Sequence, residues 1–372
     1  MVISQLPLNV VGGGELYTIR SFRQLLKVQP QSELWYAASP QPALAPHSQR
    51  LVQKYIRADI EGETVRAGET CTLQQLLLHG AHFDSLVIHQ YLSSATTIDW
   101  IAATAPDQNV VLTTLGHEAF EQEFRRVFEP ATNILIAEIS EFARRRSEGR
   151  GFAATSVAAG IYRSDIRDLS GPQGKPSTRP CRAIAVGRLL PHKGFEVTIN
   201  GLPSAWHLDV VGPSSGDSVY ERYLQDLARN KGNVTLHGFQ SEETRRNLVA
   251  SADVLIASSC HRLYDGKRIE QAELFGLVLL EAVASGTLAV ASDIPSFREV
   301  MTTLGLDDFL YEERNPQQLR EILIQIEGMP AGERDSRLRV ARERLRANYL
   351  WDDYWSRVFG HLAPISQLRL VA

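Results

Sequence analysis

Short apolar runs alternate with stretches of helical periodicity along most of this chain. M-V-I-S-Q at the start, Leu34 to Ala38, Phe83 to Gln90 and Asn109 to Leu115 read as strands. Between them, Leu16, Ile19, Phe22, Leu25 and Leu26 recur at helical spacing, and Ser48 to Tyr55, Leu73 to His79 and Thr96 to Ala103 read as further helices. The alternation resumes later, with strands over Arg182 to Gly187, Trp206 to Gly212, Val234 to Phe239, Asp253 to Ala257 and Thr287 to Ser292. A helix is expected over roughly 276–285, opening near Gly276 and closed by Ser285-Gly286. Strands separated by helical segments argue for α/β architecture: parallel sheets covered on both faces, with ligands at the carboxyl ends of the strands.

The two runs of alternation are separated by Ser170 to Pro180, which holds three prolines and two glycines in eleven residues and no apolar periodicity. This places a first domain over 1–170, a linker over 171–180 and a second domain over 181–345, followed by an aromatic-rich tail over 346–372. The length of 372 residues suits two domains of ordinary size. A net charge of -4 gives no general attraction to nucleic acid, so no nucleic-acid partner is expected. The three cysteines, Cys71, Cys181 and Cys260, lie far apart with no metal-ligand spacing, which points to a reducing compartment. The first ten residues lack the basic start and apolar core of a signal peptide, and no apolar run approaches the ~20 residues of a membrane span. A cytoplasmic protein is expected, with contact to the inner face of a membrane at most peripheral.

Candidate chemistry gathers at strand ends. In E-L-F-G-L-V-L-L-E, Glu273 falls in the loop before the expected helix and Glu281 inside it, with the amides of Gly276 and Leu277 at the positive helix end, where an anion binds readily. In G-R-L-L-P-H-K-G, Arg188 follows a strand directly and Lys193 comes five residues later, so two fixed cations could flank one anion, one a planar fork and the other a mobile point charge. Gly12-Gly13-Gly14-Glu15 sits between a strand and a helix, where glycines permit positive φ and close approach of a ligand. His117 stands just past the strand ending at Leu115. Taken singly, each has an ordinary structural explanation: a core helix, solvated loop cations, a turn, a loop histidine.

Together these stretches resemble the motifs of the retaining glycosyltransferases of family 4, also described as glycosyl transferases group 1, which have the GT-B fold of two Rossmann-like domains facing a central cleft. E-L-F-G-L-V-L-L-E is similar to the E-x7-E signature, G-R-L-L-P-H-K-G to the diphosphate-binding loop and G-G-G-E to the G-G-x-E turn. Ala158-Ala159-Gly160 departs from the usual Pro-Asn-Gly, and Ser258 to Ala272 is longer than the usual link before the first glutamate. The resemblance implies a nucleotide diphosphate sugar on the second domain, a UDP-sugar foremost, although nothing in these residues selects a base. Arg188, Lys193, Gly12, Gly13 and the amides of Gly276 and Leu277 would face the diphosphate. Glu281 would hold the ribose, Glu273 and Phe275 the donor sugar, and the loop at Gly238 and Phe239 would border the nucleobase. His117 and Glu273 would act at the reacting centre. In the family a C-terminal helix crosses back onto the first domain, which here would bury Trp351, Trp355 and Phe359.

The resemblance further implies transfer with retention to a glycan, lipid-linked or small-molecule hydroxyl, by front-side attack. No Asp-x-Asp occurs anywhere, so no metal is expected, and no cofactor beyond the donor itself. Two other activities fit the same residues: a sugar-nucleotide epimerase or hydrolase, and a non-catalytic nucleotide- or glycan-binding relative.

Overall fold

The computed structural model describes residues 2–4, 13–32, 34–36, 65–67, 85–89, 109–115, 134–167, 181–214 and 218–362. The chain divides into two compact units, one of Met1–Ala159 with Trp351–Ala372 and one of Gly160–Leu350.

The first unit is built on a parallel sheet of β1 (Val2–Ser4), β2 (Leu34–Tyr36), β3 (Val65–Ala67), β4 (Ser85–His89), β5 (Asn109–Thr113), β6 (Ile134–Glu138) and β7 (Thr155–Ser156), ordered β3-β2-β1-β4-β5-β6-β7. β5 is buried along its whole length, as a strand covered on both faces must be. Helix α1 (Gly13–Val28) buries Tyr17, Ile19, Phe22 and Leu25. Helix α2 (Glu141–Gly149) starts where the Ser140 hydroxyl accepts from the Ala143 N–H at 3.0 Å, one of the donors a helix start leaves unpaired. Its arginine run is a solvated face: Arg144 pairs with Glu141 and Glu148, and Arg145 with Glu141.

In the second unit β8 (Arg182–Val186), β9 (His207–Val211), β10 (Val234–Gly238), β11 (Val254–Ala257), β12 (Leu288–Ser292) and β13 (Leu310–Tyr311) pair in the order β10-β9-β8-β11-β12-β13, all parallel. Its helices are α3 (Phe195–Gly201), α4 (Ser218–Lys231), α5 (Glu242–Ser251), α6 (Leu277–Ser285), α7 (Pro295–Leu304), α8 (Pro316–Glu327) and α9 (Ala331–Asn348). The apolar run of α6 is explained by its place: Leu279, Leu280, Ala282, Val283 and Ala284 are all buried among β11, β12 and α9.

Both units thus carry the Rossmann strand order, in which the first and fourth strands are neighbours and the connections leave them in opposite directions. Each is a Rossmann-like α/β layer structure, as the alternation of strands and helices predicts.

Two boundaries differ from the sequence expectation. Residues 160–167, expected with the first domain, pack with the second unit, because the Gly160 and Ile161 N–H groups donate to the Tyr349 carbonyl and the Arg167 N–H to the Ala284 carbonyl. The tail changes unit between Leu350 and Trp351. Helix α10 (Tyr354–Gly360) packs on α1, with Trp351 and Trp355 almost fully buried. The Tyr17 hydroxyl donates to the Tyr354 hydroxyl at 3.0 Å, and the Trp355 indole N–H donates to the Ser21 carbonyl at 2.7 Å. Residues 171–180, and the helices expected over 48–55, 73–79 and 96–103, lie outside the described residues.

Candidate active site

The second unit's switch point lies between β8 and β11, and the loops leaving these two strands build the site. After β8, Arg188 is exposed and has no side-chain ion pair among the described residues. The chain then makes a tight turn over Pro191–Lys193 and reaches Gly194, whose φ of 63° lies in the left-handed region. A Cβ there would stand 2.1 Å from the Ser258 carbonyl oxygen, so only glycine lets the loop seat against the strand end. The Cys260 N–H completes the seat by donating to the His192 carbonyl at 2.8 Å.

So held, the Lys193 ammonium donates to Oε2 of Glu273. Both side chains are about a quarter exposed, which keeps the pair open to a ligand. Burial pushes the Glu273 carboxyl up, but the Lys193 charge and hydrogen bond, the nearby His192 and the Leu274 N–H outweigh it, and the group sits below the usual carboxylate range. Glu273 is therefore an anion at neutral pH and an acceptor for hydroxyl groups.

Three residues on, Gly276 caps α6 with φ 116°, and a Cβ there would meet the Phe297 ring at 2.9 Å. The helix starts one residue later than the sequence suggests, at Leu277, and its first N–H groups have no acceptor within the helix. Those amides, the helix dipole and Lys193 together offer positive potential beside one carboxylate.

Glu281 lies one turn into α6. Arg245 holds it from both sides, Nη1 to Oε2 at 2.8 Å and Nη2 to Oε1 at 3.2 Å. Arg245 also binds Glu242, and Arg246 bridges Glu242 to Asp165, so three elements of the second unit share one charged network. Arg245 carries no signal in the sequence, since its partner Glu281 is 36 residues away. A carboxylate has about four lone-pair sites, so the bidentate pair leaves Glu281 able to accept from a diol as well.

The remaining candidates separate. Gly238 ends β10 with φ 65° and open space around it, and Phe239 beside it is one of the few large apolar side chains left exposed, at 37%. The Gly212 N–H donates to the Gly238 carbonyl at 3.0 Å, and a Cβ on Gly212 would lie 1.7 Å from the Gly187 oxygen, so glycines let three strand ends crowd together. The Phe275 ring is 5% exposed and meets Tyr349 edge-on at 5.8 Å, so the ring itself packs in the core. In the first unit Gly13 is the first residue of α1, while Gly12 and His117 lie outside the described residues. Among the described residues no group of three His, Cys, Asp or Glu side chains could hold a metal, and no helix is long and apolar enough to cross a membrane.

Two units with parallel sheets of Rossmann order have the GT-B fold seen in the solved structures that the chain resembles. A glycosyltransferase from Rickettsia africae superposes with a TM-score of 0.71 over 100% of this chain and 99% of its own, at 14% identity. The lipopolysaccharide outer core galactosyltransferase WaaB does so with a TM-score of 0.63 over 97% and 99%, at 17% identity.

Within that fold, residues 167–344 match the family described as Glycosyl transferases group 1. The phosphatidyl-myo-inositol mannosyltransferase of Mycolicibacterium smegmatis is 29% identical over 235 residues, 59% of this chain and 56% of that enzyme. The chain thus aligns with little more than half the length of this curated relative. These likenesses make it similar to glycosyltransferases.

Proposed function

We propose that this protein is a retaining glycosyltransferase that moves a sugar from a nucleotide diphosphate sugar to a hydroxyl acceptor without a metal. The observation that carries the proposal is the Lys193–Glu273 pair set against the amino end of α6, at the switch point of a Rossmann sheet. Lys193, Arg188 and the amides of Leu277 and its neighbours supply fixed positive charge where a diphosphate accumulates negative charge as it leaves, and such preorganised charge is usually the largest catalytic term. Glu273, anionic and partly exposed, accepts hydroxyls of the donor sugar, and Glu281 accepts the ribose diol while Arg245 holds it in place. Phe239 offers a flat apolar surface to the base. His117 is assigned to the donor sugar on its position after β5.

The step is a displacement at the anomeric carbon. The bond from that carbon to the phosphate oxygen breaks, the bond to the acceptor oxygen forms on the same face, and the acceptor proton passes to the departing phosphate. Lys193 neutralises Glu273 in the free protein, so Glu273 is paired and not poised as a nucleophile. That favours front-side attack over a covalent glycosyl intermediate. Since relatives include a phosphatidyl-myo-inositol mannosyltransferase, lipid-linked acceptors belong in the first panel, with UDP-sugars foremost among the donors.

The test is a thermal-shift series with UDP, GDP, ADP, dTDP and their sugar conjugates on the wild type, Arg188→Ala, Lys193→Ala and Glu281→Ala. A nucleotide at a hundred times its dissociation constant adds about 2.7 kcal/mol of stability. One base is expected to stand out, with its shift lost in all three variants. A wild type that binds no nucleotide overturns the proposal. Hydrolysis of the donor at the same rate with and without acceptors would assign the site to a hydrolase instead.

A further inference from the structure

The segment between β11 and Glu273 contains a hairpin whose chemistry the transfer reaction does not use. The Ile269 N–H donates to the His261 carbonyl and the Leu263 N–H to the Lys267 carbonyl, each at 2.8 Å, which pairs Arg262 with Arg268. These bonds flank the pair and do not join it, so the two arginines form a non-hydrogen-bonded antiparallel pair, the arrangement that brings opposed side chains closest on one face. The turn between them uses Gly266 at φ 87°. Tyr264 anchors the hairpin by lying against the rings of Tyr220 and Tyr223 on α4, at 5.1 and 5.4 Å.

Two like charges directly opposed on a short hairpin are destabilising. Neither guanidinium has an acidic partner among the described residues. Both instead line a cavity of about 510 Å³ together with His261, Glu313 and Arg314. The cavity's acid is already engaged: Glu313 accepts from the His261 N–H at 2.7 Å and bonds its Nδ1 at 2.8 Å. Arg314 is held by Glu196 at 2.8 Å and by the Arg262 carbonyl at 3.0 Å, and it is the one non-glycine residue with positive φ among those described, at 62°. Strain of this kind persists where the surroundings fix a side chain in one place.

We propose that this cavity is a second anion-binding site, in which a phosphate or carboxylate group lies between the Arg262 and Arg268 forks with Arg314 behind it. Planar guanidinium pairs bind such oxyanions in bidentate fashion, and the anion removes the repulsion the hairpin otherwise carries. The site is bonded to the phosphate loop through Cys260 and His192 and through Arg314 and Glu196 at the start of α3, but it shares no side chain with Lys193 or Glu273. It stands whether or not the neighbouring site transfers sugar.

Calorimetric titration of inorganic phosphate, glucose 6-phosphate and glucuronate tests it, with UDP present to fill the neighbouring site. Arg262→Ala with Arg268→Ala should weaken the best probe by about tenfold or more, since each lost bond to a charged group is worth about that factor. The lysine pair Arg262→Lys with Arg268→Lys should fall between the wild type and the double alanine variant. Tighter binding of the sugar probes than of inorganic phosphate assigns the site to a charged sugar, and the reverse assigns it to the free ion. A wild type that binds none of the three, or a double alanine variant that binds as the wild type does, overturns the proposal. Both arginines are exposed, and a melting temperature without ligand no lower than that of the wild type shows that the variants fold.

Discussion

The two units share a strand order but treat their buried carboxylates in opposite ways. In the first, burial wins. His89, fully buried, contacts Ser21 through Nε2 at 2.8 Å and is pushed by burial to about 3. Burial raises the Glu138 carboxyl, against the Ser147 and Thr114 hydroxyls that donate to its two oxygens, and it raises the Tyr17 and Tyr354 hydroxyls well. The second unit keeps its carboxylates ionised by pairing them: burial acts on Glu242 and Glu273 too, but Arg245 and Lys193 win and hold both below the ordinary range. A parallel sheet dictates neither solution. What decides it is whether a cation reaches the carboxylate: Lys193 comes to Glu273 from the loop after β8, and Arg245 and Arg246 come to Glu242 from the next turn of its own helix.

The largest separation of the units should come from Trp355→Ala. It deletes a buried aromatic and removes the indole N–H that donates to the Ser21 carbonyl, costing about 3 to 5 kcal/mol in the first unit. Denaturant unfolding should then show an early transition, while nucleotide binding by the second unit persists below it. A single, unshifted transition would mean that α10 contributes no core.

The matching lesion in the second unit is Arg245→Ala, which leaves Glu242 and Glu281 without their shared cation. Breaking a buried pair costs about 3 to 5 kcal/mol, and the partial exposure of these side chains lowers that to about 2 to 3. Nucleotide affinity should fall as well, because Glu281 loses the group that orients it. A variant that loses stability but binds nucleotide unchanged would separate Glu281 from the ribose.

Acid sharpens the contrast. His89 is neutral in the folded unit and protonates once unfolded, so its contribution is complete above its unfolded value near 6.5 and is lost as pH falls toward 3. At pH 5 the loss is about 2 kcal/mol. The paired carboxylates of the second unit begin to lose stability only below their unfolded values of about 4.3. Between pH 6.5 and 5 the first unit should weaken alone, a difference readable in the melting of each unit, and His89→Gln should abolish it.

Much of this was legible in the sequence, for local reasons. The strands of the second unit, the helix from Leu277 to Ser285 and the glycines that shape the turns around it follow from apolar runs and punctuation that a few neighbouring residues determine. The Lys193 loop and Glu273 were legible as chemistry because their spacing resembles a family pattern. What escaped depends on long-range pairing. Arg245 reaches Glu281 across 36 residues, Ser21 reaches His89 across 68, and Arg262 faces Arg268 only because a hairpin forms where no apolar alternation marks one. The burial of the Phe275 ring was not legible either, because it depends on Tyr349, 74 residues away.

The smallest effect tests the comparison most directly, because its sign is opposite to that of His89. Glu138 lies at the end of β6 with its carboxyl raised, so the folded unit holds its proton more tightly than the unfolded chain does. Stability from this group is complete below the unfolded value near 4.3 and is lost as pH rises through the folded one. Glutamine has nearly the same shape and keeps an oxygen for one hydroxyl, but carries no charge to desolvate. Glu138→Gln should therefore stabilise the first unit by about 1 kcal/mol at pH 8 and change it little at pH 4, when its melting is followed across that range. A variant less stable at pH 8 would show that Thr114 and Ser147 bind a carboxylate there and not an acid. The first unit would then hold a buried carboxylate charge beside its buried Arg20, and the contrast between the carboxylates of the two units would be lost.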